Sequence, residues 1–128
     1  MPYCPLRREI SLDRKKIGNK AESLACRLLT NKGLKVIERN FRCKTGEIDI
    51  VAKDDKYIAI VEVRSTTNYS FHDPLDSFTP LKIRRLRILS QIWLNSHDMQ
   101  DAFIRFDIIT VVFNAENNTK IRYIKDAF

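Results

Sequence analysis

The sequence predicts a mixed α/β fold, one sheet flanked by helices, with elements in the order αβββαββ. Three observations carry that prediction. Ala21, Leu24, Ala25, Leu28 and Leu29 recur with the spacing of one helical face. Gly46–Val51 and Ile58–Arg64 alternate or run apolar in Val and Ile, as half-buried and buried strands do. A second helical pattern, Ile83, Leu86, Leu89 and Trp93, is followed by strand-like stretches at 104–112 and 121–124.

Taken in order, residues 1–16 hold two prolines and many charges without sustained periodicity. They are expected to form a basic N-terminal arm, with residues 17–128 as one domain. The first helix is expected from Gly18 to about Asn31, with Gly33 as its C-terminal cap. Glu22 lies at the margin of its buried stripe, either an ordinary boundary residue or a carboxylate turned toward the sheet. Leu34–Phe41 reads as the first strand, and Lys44-Thr45-Gly46 as the turn into the second. Lys53-Asp54-Asp55-Lys56 suits a hairpin turn. The expected register sets Ala52 against Tyr57, Ile50 against Ala59 and Glu47 against Glu62. Glu47, Asp49, Ile60, Glu62 and Arg64 then share one face, with Asp49 and Glu62 diagonal neighbours roughly 7–8 Å apart. Residues 65–78 form a polar and aromatic loop, long enough to suggest a functional role. Thr79 reads as an N-cap and Pro80 as the first helical residue, opening a helix that exposes Lys82 and Arg85. A polar turn at Glu116-Asn117-Asn118 joins the last two strands.

Composition removes several function classes. No apolar run approaches the roughly 18 residues of a membrane span, and the N-terminus lacks a signal-peptide core. Cys4, Cys26 and Cys43 are scattered, which suits reduced thiols in a cytoplasmic protein and gives no zinc spacing. His72 and His97 are unpaired, with no nucleophile in a suitable turn. Gly18, Gly33 and Gly46 are the only glycines, so no phosphate loop or dinucleotide motif exists. The net charge of +7 favours an anionic partner, nucleic acid being the commonest. Its clusters are Arg14, Lys15, Lys16 and Lys20, then Lys82, Arg84, Arg85 and Arg87.

Two carboxylates on a strand face built from Ile and Val require cationic company. Asp49 and Glu62 either pair with Arg64 and nearby lysines, or hold a divalent metal. Hard oxygen ligands on adjacent strands suit Mg²⁺, which also recruits waters and a substrate phosphate.

An ordered series of short blocks resembles the YraN family of endonuclease-like proteins. It comprises Gly18, Glu22 and Ala25; Arg39-Asn40-Phe41-Arg42; Gly46-Glu47-Ile48-Asp49-Ile50; and Val61-Glu62-Val63. Pro74-Leu75, Lys82 before an arginine-rich helix, and Arg105-Phe106-Asp107 continue it, so the resemblance spans about residues 16–125. It implies a restriction-endonuclease-like core, the fold of type II restriction enzymes and archaeal Holliday-junction resolvases. It further implies Asp49, Glu62 and the Val63 carbonyl as ligands of Mg²⁺ or Mn²⁺, completed by Glu22. The nuclease pattern ends Glu-x-Lys, whereas this chain has Glu62-Val63-Arg64. Arginine stays protonated and cannot act as a base, although it can stabilise phosphate charge. Either the metal alone activates water, or Lys82 replaces the missing lysine, or catalysis is lost.

The leading expectation is a Mg²⁺-dependent endonuclease acting on DNA, with branched DNA as a candidate substrate. Glu22, Asp49, Glu62, Arg64 and Lys82 are its expected catalytic group, and Lys15, Lys16, Lys20, Arg84 and Arg85 its expected nucleic-acid contacts. Two alternatives stand beside it: a catalytically impaired DNA-binding or repair-accessory module, and an RNA-binding or protein-interaction domain. A homodimer would suit a two-fold symmetric junction substrate.

Overall fold

The computed structural model describes residues 6–67, 73–113 and 118–128, with backbone alone for 6–13. Cys4, His72, Glu116 and Asn117 lie outside them. Helix α1 (Leu6–Asn31) leads into β1 (Lys35–Cys43), β2 (Gly46–Asp54) and β3 (Tyr57–Thr67). A 3-10 turn (Pro74–Ser77) then precedes α2 (Pro80–Ser96), β4 (Phe103–Phe113) and β5 (Lys120–Ile124). The five strands form one sheet in the order β1-β2-β3-β4-β5. Every neighbouring pair is antiparallel except β3 and β4, which run parallel across the α2 crossover. This mixed sheet is the predicted αβββαββ order, consistent with a restriction-endonuclease-like core.

Helix α1 starts at Leu6, not Gly18, so much of the expected arm is helical. Pro2 and Pro5 precede that start, leaving no proline inside the helix to oppose it. Its far end closes as expected. Leu34 N–H donates to Leu29 C=O and Gly33 N–H to Thr30 C=O, both at 3.0 Å, a Schellman cap. Gly33 takes φ 92°, and the apolar contact of that motif is met by Leu29 and Leu34 in one buried cluster. At the start of α2, the Thr79 hydroxyl accepts from Lys82 N–H at 3.2 Å, with Pro80 at the first helical position.

Each sheet face has its own core. Ala21, Ala25 and Leu29 of α1 pack with Ile50, Ala52, Ala59, Val61, Ile109 and Val111. On the other face, Leu86, Leu89, Trp93 and Leu94 of α2 pack with Ile48, Val51, Ile58 and Ile60. Ile83, expected to be buried, is only half-buried, because it turns toward the outer flank of α2 with Arg84 and Ile88. Trp93 donates from Nε1 to Glu38 at 3.0 Å, tying α2 to the β-bulge of β1 between Val36 and Glu38. The expected loop at 65–78 is shorter than anticipated, since β3 continues to Thr67 alongside β4.

The expected β2–β3 register is corrected by one residue pair. Ile50 lies opposite Val61 and Ala52 opposite Ala59, because Asp54 pairs directly with Tyr57. The turn is therefore the two residues Asp55-Lys56, with Asp55 at φ 54°, a conformation aspartate tolerates. The shift is even, so the side chains paired in this ladder keep their faces. Continued one step past its last pair, the register sets Asp49 level with Glu62 rather than diagonal to it.

A buried ionic network joins β4 to its neighbours. Arg105 donates from Nε and Nη2 to the two Asp107 oxygens at 2.9 and 3.0 Å, and from Nη1 to Asp54 at 2.8 Å. The Tyr123 hydroxyl and the Asp126 backbone N–H also donate to Asp107. Asp107 is fully buried and Arg105 only 6% exposed, so each depends on the other for solvation. Asp107→Ala strands a buried guanidinium and is expected to cost about 3–5 kcal/mol in urea unfolding. A loss below about 1 kcal/mol would mean that water reaches the network.

Candidate metal centre

The site begins where strand alternation fails. Ile48 and Ile50 are two residues apart, yet Ile50 belongs to the α1-side core and Ile48 to the α2-side core. Asn40 of β1, which faces this point across the hairpin, takes φ 54°. The β1–β2 ribbon thus turns over at Asn40 and Asp49. The β2–β3 ladder ends at Ile50 and Val61, and beyond it the Val63 N–H donates to Asp49 Oδ2 at 2.9 Å. A side-chain carboxylate has taken the place of a strand acceptor, which fixes it between the two layers.

Three further carboxylates converge there. Ligand oxygens of Glu22, Glu47 and Asp49 all lie within 4.8 Å of one another, a cluster able to hold a metal ion. Glu62, 5% exposed, stands beside Asp49 on β3. Asp49, Glu62, Val63, Arg64, Lys82 and Arg85, six of the residues singled out from the sequence, line one cavity of about 280 Å³ together with Gly46 and Glu47, whereas Glu22 is not among the residues that line it. Gly46 has φ 152°, and a Cβ there would meet Leu89 at 3.3 Å, so glycine lets the strand approach α2.

The surrounding arginines do not neutralise this cluster closely. Arg39 lies 3.7 Å from Glu22, Arg42 3.5 Å from Glu47 and Arg64 3.6 Å from Glu62. All three are ion pairs, each looser than the close charge-assisted contacts that arginine makes with a well-matched carboxylate. Glu22 Oε2 and Arg64 Nε are buried with no hydrogen-bond partner. In the Arg105–Asp107 network, by contrast, the guanidinium meets its carboxylates at 2.8–3.0 Å. The carboxyl groups respond as crowded, desolvated acids. Burial pushes Asp49 up to about 6, opposed by the Val63 N–H. Burial, and then the nearby Asp49 charge, push Glu62 up to about 8, with Arg64 pulling it back.

The other sequence-predicted residues separate. Arg85 lines the cavity, while Arg84 lies on the outer flank of α2 with Arg87 and Ile88. Lys15, Lys16 and Lys20 are exposed on α1, and the Lys20 ammonium sits 5.4 Å from the Phe113 ring centre. Glu47 was read onto the acidic face but not into the metal set. Its position two residues before Asp49 was the available signal. Arg39, which pairs with Glu22, carried no such signal, because Asn40 redirects it.

Both raised carboxyls bind protons more tightly in the folded chain than in the unfolded one. Their protonation therefore stabilises the metal-free fold at low pH, and that contribution disappears as pH rises from about 4.5 through 8. Glu62→Gln keeps the neutral form at every pH. It is expected to raise Tm at pH 8, to change it little near pH 4.5, and to flatten the pH slope between. A parallel slope in the variant would place the lost stability elsewhere.

The model of Uncharacterised protein family UPF0102 matches residues 21–111, which hold all four carboxylates and the cationic wall. A UPF0102 protein of Geotalea daltonii is 39% identical over 123 residues, covering 96% of this chain and 97% of the relative. One from Geobacter metallireducens is 40% identical over 119 residues, covering 93% and 97%. One from Clostridium botulinum is 37% identical over 130 residues, covering 100% and 98%. The chain belongs to the UPF0102 family.

Proposed function

We propose that this protein is a Mg²⁺-dependent DNA endonuclease that grips its substrate by phosphate contacts, with branched DNA as the favoured substrate. One observation carries the reading: buried, under-neutralised carboxylates face a cationic wall across a cavity. A purely structural ion-pair network would close its contacts, as Arg105 and Asp107 do.

The donor set fits a hard cation. The converging oxygens of Glu22, Glu47 and Asp49 would hold it, with Glu62 and the Val63 carbonyl, the ligands expected from the family resemblance, as further donors beside Asp49. Glu22 Oε2 is a buried ligand atom with no hydrogen-bond partner, its one ion pair being Arg39 at 3.7 Å. Bound there, Mg²⁺ or Mn²⁺ supplies charge neutralisation at the phosphodiester and a water acidic enough to attack at neutral pH. Glu62, protonated near neutral pH, must lose its proton to serve as a ligand, so cation affinity rises with pH up to about 8.

The opposite wall suits the substrate. Helix α2 has no acidic residue in its first turn and carries Lys82, Arg84 and Arg85 near its N-terminus. Cations there oppose the helix dipole, a cost that a bound phosphate offsets. Lys82 and Arg85 would take the non-bridging phosphate oxygens. Arg64 remains protonated and contributes charge, leaving Lys82 as the cavity amine able to orient the attacking water.

A second reading, a DNA-binding module without catalysis, is favoured by Arg64 at the position where the nuclease pattern has lysine. Labelled linear, flapped and four-way-junction DNA incubated with Mg²⁺ or Mn²⁺ separates the two. Cutting by wild type that falls at least about a hundredfold in Asp49→Ala and Glu62→Ala is expected. Cutting only by Arg64→Lys would establish the second reading, and silence from every variant would remove the nuclease.

A further inference from the structure

Phe78 is absent from every candidate role so far, yet its ring touches both cations assigned to the substrate phosphate. The Arg64 guanidinium carbon lies 5.2 Å from its centre and the Lys82 ammonium 5.4 Å. Arg64 comes from β3 and Lys82 from the first turn of α2, so the ring bridges two cations that line the cavity from different elements. We infer that Phe78 is the positioning residue of the phosphate-binding wall, fixing where Arg64 and Lys82 stand relative to the carboxylates. The inference rests on the nuclease reading above and assigns a phosphodiester oxyanion as the ligand of the paired cations.

The ring is itself fixed. Its backbone N–H donates to Leu75 C=O at 3.1 Å, closing the 3-10 turn, and Thr79 immediately follows as the cap of α2. Behind it Phe128 stands at 6.2 Å, stacked in turn on Phe106 at 5.1 Å. The ring is thus anchored through its backbone and through the contact with Phe128.

Arg64 has two attractors. Glu62 offers its carboxyl at 3.6 Å, and closing to hydrogen-bond contact would occupy an oxygen that a metal needs. The quadrupole of the Phe78 face offers a weaker attraction that needs no hydrogen bond. Held by the ring, Arg64 keeps a buried Nε without a hydrogen-bond partner, so its charge is not consumed by a close contact with Glu62. Lys82 has no carboxylate partner within ion-pair distance among the described residues; the ring fixes its position while leaving its three donors free. Without the ring, both cations regain rotamer freedom, and Arg64 is drawn onto Glu62.

The test compares Phe78→Leu, which keeps apolar bulk, with Phe78→Tyr, which keeps the ring face. Binding of a short labelled duplex in Ca²⁺ is read as Kd against salt, and junction cleavage in Mn²⁺ as kcat and KM. Phe78→Leu should weaken binding roughly five- to thirty-fold, the sum of two cation–π contacts, with Phe78→Tyr within about twofold of wild type. The loss should shrink in a Lys82→Ala background, which isolates the shared interaction even where Phe78→Leu lowers Tm. Equal binding by wild type and Phe78→Leu, or an undiminished loss in the Lys82→Ala background, overturns the inference alone. Wild type that shows no salt-dependent DNA binding overturns the nuclease reading and the inference with it.

Discussion

Two isoleucines set the frame of this molecule. Ile48 and Ile50 occupy adjacent same-face positions in β2 by strand alternation, yet they pack into different cores. The ribbon turns over between them, with Asn40 at positive φ on the opposing strand and Asp49 at the crossing. Everything at the candidate centre follows. The β2–β3 ladder stops, the Asp49 carboxylate accepts the Val63 N–H, and Glu47 swings to where Glu22 of α1 can meet it. A regular sheet would have kept Glu22 on the far side from Asp49. The turnover brings carboxylates from one helix and two strands to one point without lengthening any loop.

The protein contains its own comparison between ionic groups that stabilise and ionic groups left reactive. At Arg105 and Asp107, donors and acceptors close to 2.8–3.0 Å and the buried charges are matched. At Glu62 the Arg64 guanidinium stops at 3.6 Å, one buried oxygen of Glu22 lacks a hydrogen-bond partner, and burial pushes the Asp49 and Glu62 carboxyls upward. Charges held this way cost stability, and such cost is tolerated where a ligand offsets it. The cations near the N-terminus of α2 are unfavourable for the helix in the same sense. The two destabilised groups face each other across one cavity, a geometry that a metal ion and a phosphate would relieve together.

Much of this was legible in the sequence. Helical spacing located both helix faces, Gly33 and Thr79-Pro80 marked their ends, and period-two alternation paired Asp49 with Glu62 on one face. That pairing survived a register error because the error was even. The beginning of α1 was missed because residues 6–16 are too polar to show an apolar stripe, although nothing in them breaks a helix. The turnover at Asn40 left no mark either: asparagine at positive φ is permitted locally but selected by packing. Glu22 could be placed at the stripe margin, while its meeting with Glu47 depended on that unseen turn. Phe78 looked like one aromatic in a loop, because its significance lies in two cations from elements distant in sequence.

The most direct test of this account is a crystal structure grown with Mn²⁺ at pH 8 and measured at the manganese absorption edge. An anomalous peak bonded to Asp49 and the carboxylates converging on it, with Arg64 still against Phe78, is the predicted result. A manganese-free cavity in which Arg64 has closed onto Glu62 would contradict it and return the acidic cluster to the class of structural ion pairs.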